Sequence, residues 1–218
     1  TGYAWYQNVL GVYEITPDGS ITDARILIDN VNTDKTAQVL ISDVESGNKL
    51  GFFVVQNAAD WASGLTGADT FDFVGSDGWS QATVNDGAGI QLQVNGQTAW
   101  KTIFHSYAAE MNDDGIQHTL SGIDTSEEMI SVGFEDIVGG GDQDYEDVVF
   151  DIERLEVAVS TSHCDTTTPF EAFFPSLVEG QAIDPDLVNG IINDEYLKGA
   201  IGQNFHTCVL VDVFLHRC

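Results

Sequence analysis

The residues of this sequence best suited to chemistry are carboxylates in one short stretch, FEDIVGGGDQDYEDVVFDI, at residues 134–152. Its nineteen residues include seven carboxylates and three consecutive glycines. Calcium is a hard cation that takes about six to eight oxygen ligands from carboxylates, amides and backbone carbonyls. Asp142, Asp144 and Asp147 offer such oxygens at close spacing, and the glycines at 139–141 permit the positive φ angles that curl a loop around an ion. The stretch therefore predicts a calcium site.

Two further carboxylates, Glu135 and Asp136, stand just upstream, at the end of a predicted strand. Side chains alternate between the two faces of a strand, so a regular strand would point only one of them at a given ion. Asp136 is favoured because it continues the apolar face of Ile130, Val132 and Phe134. A kink at the strand end would admit both carboxylates.

An EF-hand is the obvious rival, since Asp142, Asp144, Glu146 and Glu153 occupy positions 1, 3, 5 and 12 of such a loop. Position 6 requires glycine for the sharp turn and holds Asp147 here. The segment that follows is β-branched, whereas an EF-hand continues as a helix. The pattern therefore indicates a calcium loop of another kind.

A second polar stretch, EMNDDGIQH at residues 110–118, could supply more oxygens from Asn112, Asp113 and Asp114, just before Gly115. Taken alone, it is better explained as an ordinary turn between strands, because Asn and Asp side chains readily bond to nearby backbone groups. Its three polar residues are therefore secondary ligand candidates.

The charge of the chain favours cations as partners. There are 35 acidic residues against 7 basic ones, for a net charge of −28. Binding to nucleic acid or to an anionic membrane needs clustered Lys and Arg, so both are disfavoured. A hydrophobic fraction of 43% is too high for a disordered acidic tail. No apolar run is long enough to span a bilayer, and residues 1–20 lack the features of a signal peptide.

The elements that would position these residues are short alternating or β-branched runs between turn residues, the pattern of an antiparallel all-β domain. Asn95-Gly96 is a strong hairpin signal, and Pro17-Asp18-Gly19 is a turn. The predicted strands are VLGVYEI, ARILIDNV, AQVLIS, LGFFVVQN, TFDFV, GIQLQV, TAWKTIFHS, IQHTLSGI, MISVGFED and YEDVVFDIERLEVAV. Ten such runs predict a β-sandwich or a jelly-roll-like fold.

Composition changes at STSHCDTTTPF, which is typical of a linker. We therefore expect a β-sandwich ligand-binding domain at residues 1–159 and a C-terminal appendage of unknown role at 160–218. Within the appendage, Asp184 can cap a short helix that Gly199 ends, and HTCVLVDVFLHRC predicts one more strand. The three cysteines all lie in this part, at Cys164, Cys208 and Cys218, and their pairing is open.

The motifs of the common enzyme classes are absent from the sequence: HExxH, GxSxG and a phosphate-binding loop do not occur. His105 and Ser106 are adjacent in a predicted strand and therefore point to opposite faces, which disfavours a catalytic triad. Paired carboxylates for glycoside hydrolysis stay open, since any acidic protein has many such pairs. We expect a binding protein and not an enzyme.

Three segments together resemble a known kind of domain: SVGFEDIVGGGDQDYEDVVFDI, IFHSYAAEMNDDGIQHTL and YQNVLGVYEITPDGSI. They are similar to a calcium-binding β-sandwich domain of RTX-type bacterial adhesins, which in some of these adhesins binds peptides. The resemblance covers about residues 5–158. It implies calcium at Asp142, Asp144 and Asp147, with Asp136 or Glu135 and a contribution from residues 112–114. It also implies secretion to the bacterial cell surface.

Three functions remain open on this evidence. The first is calcium-dependent capture of an extracellular peptide, with an ion of open coordination attracting the C-terminal carboxylate to an acidic surface. The second is a calcium-dependent lectin for glycans, in which exposed aromatic rings would stack on sugars. Its candidates are Trp5, Trp61, Trp79 and Trp100. The third is a structural or filament subunit that calcium rigidifies, because a terminal strand can add to a neighbour's sheet.

Overall fold

The computed structural model describes residues 6–33, 37–42, 44–45, 47–124, 129–155 and 210–215, and this part of the chain is all-β, as predicted. The strands are β1 (Val9–Ile15), β2 (Ile21–Ile28), β3 (Gln38–Ile41), β4 (Lys49–Val55), β5 (Phe71–Val74), β6 (Gln91–Val94), β7 (Gln97–Thr98), β8 (Ile103–His105), β9 (Thr119–Asp124), β10 (Met129–Phe134), β11 (Val148–Leu155) and β12 (Leu210–Leu215). The short helix α1 spans Ala59–Ala62, and a 3-10 turn spans Ala109–Met111.

The strands form two antiparallel sheets. The seven-stranded sheet has the order β7-β6-β5-β2-β1-β4-β8, and the five-stranded sheet has the order β3-β12-β11-β10-β9. The run TAWKTIFHS is not one strand: it begins at Thr98, the last residue of β7, and ends just after β8. β7 pairs with β6, whereas β8 pairs with β4 at the opposite edge of the same sheet. The other nine runs each correspond to one strand.

The predicted C-terminal strand is present as β12, which pairs with β11 on one side and with β3 on the other. It therefore lies inside the five-stranded sheet. The domain boundary at residues 159/160, the helix expected at 184–199 and all three cysteines fall outside the described residues.

The seven-stranded sheet is covered on both faces, so all seven residues of β1 are buried. On one face, Leu10, Val12 and Phe52 join a core with Val132 and Phe150 of the other sheet. This arrangement is that of a β-sandwich.

On the opposite face of the same sheet, a second core contains Tyr13, Phe53, Phe73 and Leu92. The rings of Tyr13 and Phe53 both contact Phe73 of β5, with centroids 5.4 and 5.1 Å apart. The sheet curls so that β5 and β6 cover part of its own outer face.

Two glycines let aromatic rings lie flat on the centre of this sheet. Gly11 is opposite Phe53, and Gly51 is opposite Tyr13, in the β1–β4 pair. A Cβ atom at Gly11 would stand 2.2 Å from the Phe53 ring, and one at Gly51 would stand 2.3 Å from the Tyr13 ring. Only glycine leaves room for either ring.

The acidic stretch is held at the end of one strand pair. β10 ends at Phe134 and β11 begins at Val148, and these two buried residues are opposite each other in the sheet. Residues 135–147 form the loop that joins them. The loop is therefore anchored at both ends to the core of the sandwich.

Candidate metal centre

The loop brings five carboxylates into two overlapping groups. One group contains Glu135, Asp142 and Asp144, and the other contains Glu135, Asp136 and Asp147. In each group the carboxylate oxygens that could bind an ion all lie within 4.8 Å of one another. Glu135 belongs to both groups, so it is the residue on which the whole cluster is centred.

The curl of the loop comes from a series of left-handed residues. The three glycines at 139–141 have φ angles of +86°, +83° and +43°, as their type predicts. Gln143 and Tyr145 also adopt positive φ angles, of +60° and +56°, which the sequence did not indicate. These turns carry Asp142 and Asp144 back towards the end of β10.

Gly141 lies directly against Glu135. A Cβ atom at this position would stand 2.1 Å from Glu135 Oε1 and 2.7 Å from its Cδ. Any residue with a side chain would therefore push the carboxylate aside. Glycine is therefore required at position 141 for two reasons: its positive φ angle and the closeness of the Glu135 carboxylate.

The central carboxylate is buried without full hydrogen bonding. Glu135 is 1% exposed, and its Oε2 accepts a hydrogen bond of 3.1 Å from Gln143 N. Its Oε1 has no hydrogen-bond partner among the described residues. A buried carboxylate oxygen without a donor is costly, and a cation is the natural group to satisfy it.

Asp136, equally buried, is held from several sides. Its Oδ2 accepts a hydrogen bond from Asn8 Nδ2, and its backbone N–H donates to Asp147 Oδ2 at 3.0 Å. Its carbonyl accepts from Gln56 Nε2. These contacts fix both Asp136 and Asp147 beside Glu135.

The cluster holds several carboxyl groups close together, and two of them, Glu135 and Asp136, are buried. Burial, together with the charges of Asp147 and Glu135, raises the pKa of Asp136 to about 7, although its hydrogen bond to Asn8 opposes the shift. Burial and the charges of Asp147 and Asp142 also raise the pKa of Glu135. A divalent ion would offset this repulsion. The all-oxygen donor set, the unpaired Oε1 and the close fit of Gly141 are all consistent with a calcium ion.

The structure also answers whether Glu135 or Asp136 faces the loop. β10 ends at Phe134, so strand alternation no longer applies to the two residues that follow. Both residues belong to the cluster, which is the arrangement expected if the strand ends before them.

The second predicted stretch lies outside both carboxylate groups. Asn112 is fully buried, and its amide accepts from His105 N at 2.7 Å and donates to Ile116 O at 2.8 Å. Asp113 Oδ1 accepts from Gly89 N at 3.2 Å. These side chains hydrogen-bond to backbone groups, as expected if the segment is an ordinary turn between strands.

Asp114 instead connects the second stretch to the acidic loop at residues 135–147. Its Oδ2 accepts a hydrogen bond of 2.7 Å from Gly139 N and lies 2.9 Å from His118 Nε2. The other ring nitrogen of His118 donates to Glu135 O at 2.8 Å. Asp114 and His118 therefore position the loop from outside the cluster.

Sequence reasoning did not identify Asn8, Gln56 or His118. His118 closes the second acidic stretch, so its position beside Asp114 carried a weak signal. Asn8 and Gln56 lie in apolar strand segments far from the loop in sequence, and nothing in their neighbours distinguishes them.

The surface next to the loop combines exposed acidic and apolar groups. Asp142 and Asp144 are exposed, and Ile137 and Val138 are 44% and 57% exposed. The cluster therefore has a buried side, formed by Glu135 and Asp136, and an open side that faces solvent.

Residues 44–154 match a family described as Domain of unknown function (DUF4114). The match runs from just before β4 to the end of β11 and contains every carboxylate of the two groups, whereas Asn8 lies outside it. No curated protein and no solved structure matches the chain. Among the described residues, no helix has the length and apolar character needed to cross a membrane.

Proposed function

We propose that this chain, which belongs to the DUF4114 family, is a calcium-dependent ligand-binding domain of a secreted bacterial surface adhesin. The observation that carries the proposal is the buried Glu135 carboxylate, whose Oε1 has no hydrogen-bond donor in the described structure and stands among four other carboxylates. The resemblance to RTX-type adhesin domains supports the extracellular part of the proposal.

Calcium is favoured over other metals by the donor set. The two carboxylate groups contain Asp and Glu alone, without the His or Cys ligands that zinc and copper prefer. Calcium accepts irregular oxygen coordination, whereas magnesium demands a near-ideal octahedron.

A bound calcium ion would stabilise the fold as well as the site. It would remove the repulsion among carboxylates that are held at the end of the β10–β11 pair, and it would tie Asp142 and Asp144 to the buried Glu135. Binding free energy of this kind adds to the free energy of unfolding. Removal of calcium should therefore lower the melting temperature.

The ligand that fits this site best is a peptide carboxylate. A chain with a net charge of −28 repels carboxylates unless a cation with an open coordination position attracts them. The exposed Asp142 and Asp144 leave the outer side of the cluster open. Ile137 and Val138 beside it would contact an apolar side chain near the peptide's C-terminus.

A glycan is the second candidate ligand, favoured by two of the predicted tryptophans. Trp79 and Trp100 are 81% and 86% exposed, and large exposed rings of this kind stack on sugars. Trp61 packs against the second core instead, and Trp5 is outside the described residues. A C-terminal peptide library and a glycan array, both probed with and without calcium, would separate the two ligands.

The filament alternative loses one of its two supports, the free C-terminal strand, and keeps the other, the large acidic charge of the chain. The C-terminal strand pairs with β11 and β3 of its own chain and is not a free strand for a neighbour.

Calcium titration of the metal-stripped protein by isothermal calorimetry tests the proposal. We expect Glu135→Gln to weaken calcium binding by at least tenfold, since it removes the charge shared by both groups. Glu110→Gln, an exposed position outside the groups, is the matched control and should bind as the unaltered protein does. Absence of calcium binding at millimolar concentration, or equal affinity in the two variants, would overturn the assignment of the site.

A further inference from the structure

A groove of about 790 Å³ runs along the side of β2 that faces away from β1. One wall is formed by residues 23–29, which comprise most of β2 and its end. The other walls are residues 37–39 at the start of β3 and residues 65–72 before and within β5. None of these residues belongs to the two carboxylate groups, so the groove is separate from the metal centre.

The groove exists because β2 lacks a neighbour along much of its outer edge. β2 pairs with β1 along most of its length, but its pairing with β5 is limited to Ala24 opposite Phe71. Within the described residues, positions 25–28 have no partner strand on that side. An unpaired strand edge offers backbone N–H and C=O groups to an added strand.

The lining of the groove combines apolar and acidic side chains. Ile26, Leu27, Leu65 and Phe71 are partly buried and supply apolar contact surface. Four aspartates line the same groove against a single arginine, Arg25; they are Asp23, Asp29, Asp69 and Asp72.

Two of the four aspartates already have partners. Asp23 forms an ion pair with Arg25, and Asp69 accepts hydrogen bonds from Thr66 and from Asn95. Asp29 and Asp72 are exposed, and neither has a partner among the residues described here. The free charge of the groove is therefore negative.

We propose that this groove binds an extended polypeptide segment of alternating basic and apolar residues, which pairs with β2 as an added strand. The backbone of the segment would bond to residues 25–28. Its apolar side chains would lie on one face of this edge, beside Ile26, and its basic ones would reach Asp29 and Asp72.

Charge complementarity identifies the occupant as a segment of another protein. Residues 160–218 of this chain carry 8 acidic and 2 basic residues, so the acidic rim repels them. A second copy of the chain, with a net charge of −28, is disfavoured for the same reason. This site is independent of the calcium-dependent binding proposed above.

The test uses the full chain with calcium present and three capped octapeptides. The first alternates Lys and Val, the second alternates Glu and Val, and the third alternates Lys and Pro. Fluorescence anisotropy measures affinity at low and at moderate salt. Hydrogen–deuterium exchange with mass spectrometry follows the peptic fragments that contain residues 23–29.

We expect the Lys-Val peptide to bind at least tenfold more tightly than either of the others. The Glu-Val peptide has the wrong charge, and the Lys-Pro peptide keeps the charge but lacks the alternate N–H groups. We also expect binding to slow exchange at residues 23–29. Asp29→Asn with Asp72→Asn should weaken binding at least fivefold, whereas Asp60→Asn with Glu110→Gln, which removes equal charge outside the groove, should not.

Three results would overturn the proposal. Equal binding of the Lys-Pro peptide would show a purely electrostatic contact with an acidic protein. An equal effect of the two charge-removing double variants would place the contact elsewhere. Protection of more amides in residues 23–29 than the pairing with β1 accounts for, before any peptide is added, would show that this chain or a second copy already covers the edge.

Discussion

Replacing Gly141 with alanine tests whether the buried Glu135 carboxylate is the centre of the metal site. The new Cβ atom would stand 2.1 Å from Glu135 Oε1, which is far inside van der Waals contact. The carboxylate has to move, since Gly141 is fixed by the turns around it. We therefore expect the variant to lose Glu135 as a well-placed ligand.

The size of the effect follows from the two changes that the substitution makes. A left-handed backbone costs a residue with a side chain about 1–2 kcal/mol, and this cost falls on folding stability. Losing a charge-assisted contact costs about 1.5–3 kcal/mol. Since 1.4 kcal/mol corresponds to about tenfold in affinity, we expect calcium binding to weaken by about ten- to a hundredfold.

Gly139→Ala is the matched control for this substitution. Gly139 also has a left-handed backbone, with a φ angle of +86° against +43° for Gly141, but a Cβ atom there would meet no atom within 4 Å. The control therefore carries the backbone cost without the contact with Glu135. Calorimetric titration with calcium and chemical denaturation of the metal-free proteins separate the two costs. Calcium affinities that agree within threefold between the two alanine variants would refute the central role of Glu135.

Three further predictions concern stability and the position of the loop. Burial lowers the pKa of His105 from 6.5 to about 3. Below about pH 6.5 the imidazole is therefore protonated in the unfolded chain but stays neutral in the folded one, so the free energy of unfolding falls as the pH drops. By pH 5 the free energy of unfolding should have fallen by about 2 kcal/mol. Denaturant titrations at pH 7 and pH 5 measure this loss, which should be correspondingly smaller in His105→Phe than in the unaltered protein. Gly11→Ala, which drives a methyl group into the Phe53 ring, should lower the free energy of unfolding by about 1–3 kcal/mol and leave calcium affinity unchanged; a change in affinity without one in stability would contradict this. Asp114→Ala removes the acceptor of Gly139 N and should weaken calcium binding by about three- to tenfold, with the circular dichroism spectrum preserved; unchanged affinity would show that the loop keeps its shape without this contact.

Much of the local structure could be predicted because the signals are local. Period-two alternation located the strands, and Asn95-Gly96 adopts the two positive φ angles, +52° and +74°, of its hairpin turn. The acidic loop was recognisable for a similar reason, since the three glycines and the spaced aspartates that curl it are close in sequence. Side-chain type and spacing were enough for both.

The contacts that complete the site are long-range, and no local pattern contains them. Asn8 reaches Asp136 across 128 residues of sequence because the start of β1 and the end of β10 meet in the sandwich. Asp114 was predicted as a secondary ligand candidate, whereas in the structure it accepts a loop N–H. A carboxylate that binds a cation and one that accepts a backbone N–H look alike in sequence, because both stand in acidic stretches that contain glycine.

The position of β12 has a consequence for the order in which this chain can fold. β12 separates β3 from β11, although its residues, 210–215, come long after both. Neither neighbour can complete its hydrogen bonding on that side until the ribosome has made residues 210–215. Contacts between such distant segments slow folding, so completion of the five-stranded sheet should be a late step of folding. A version of this chain that ends at residue 159 would lack β12 and would therefore have two exposed strand edges, on β3 and on β11, and we expect it to self-associate.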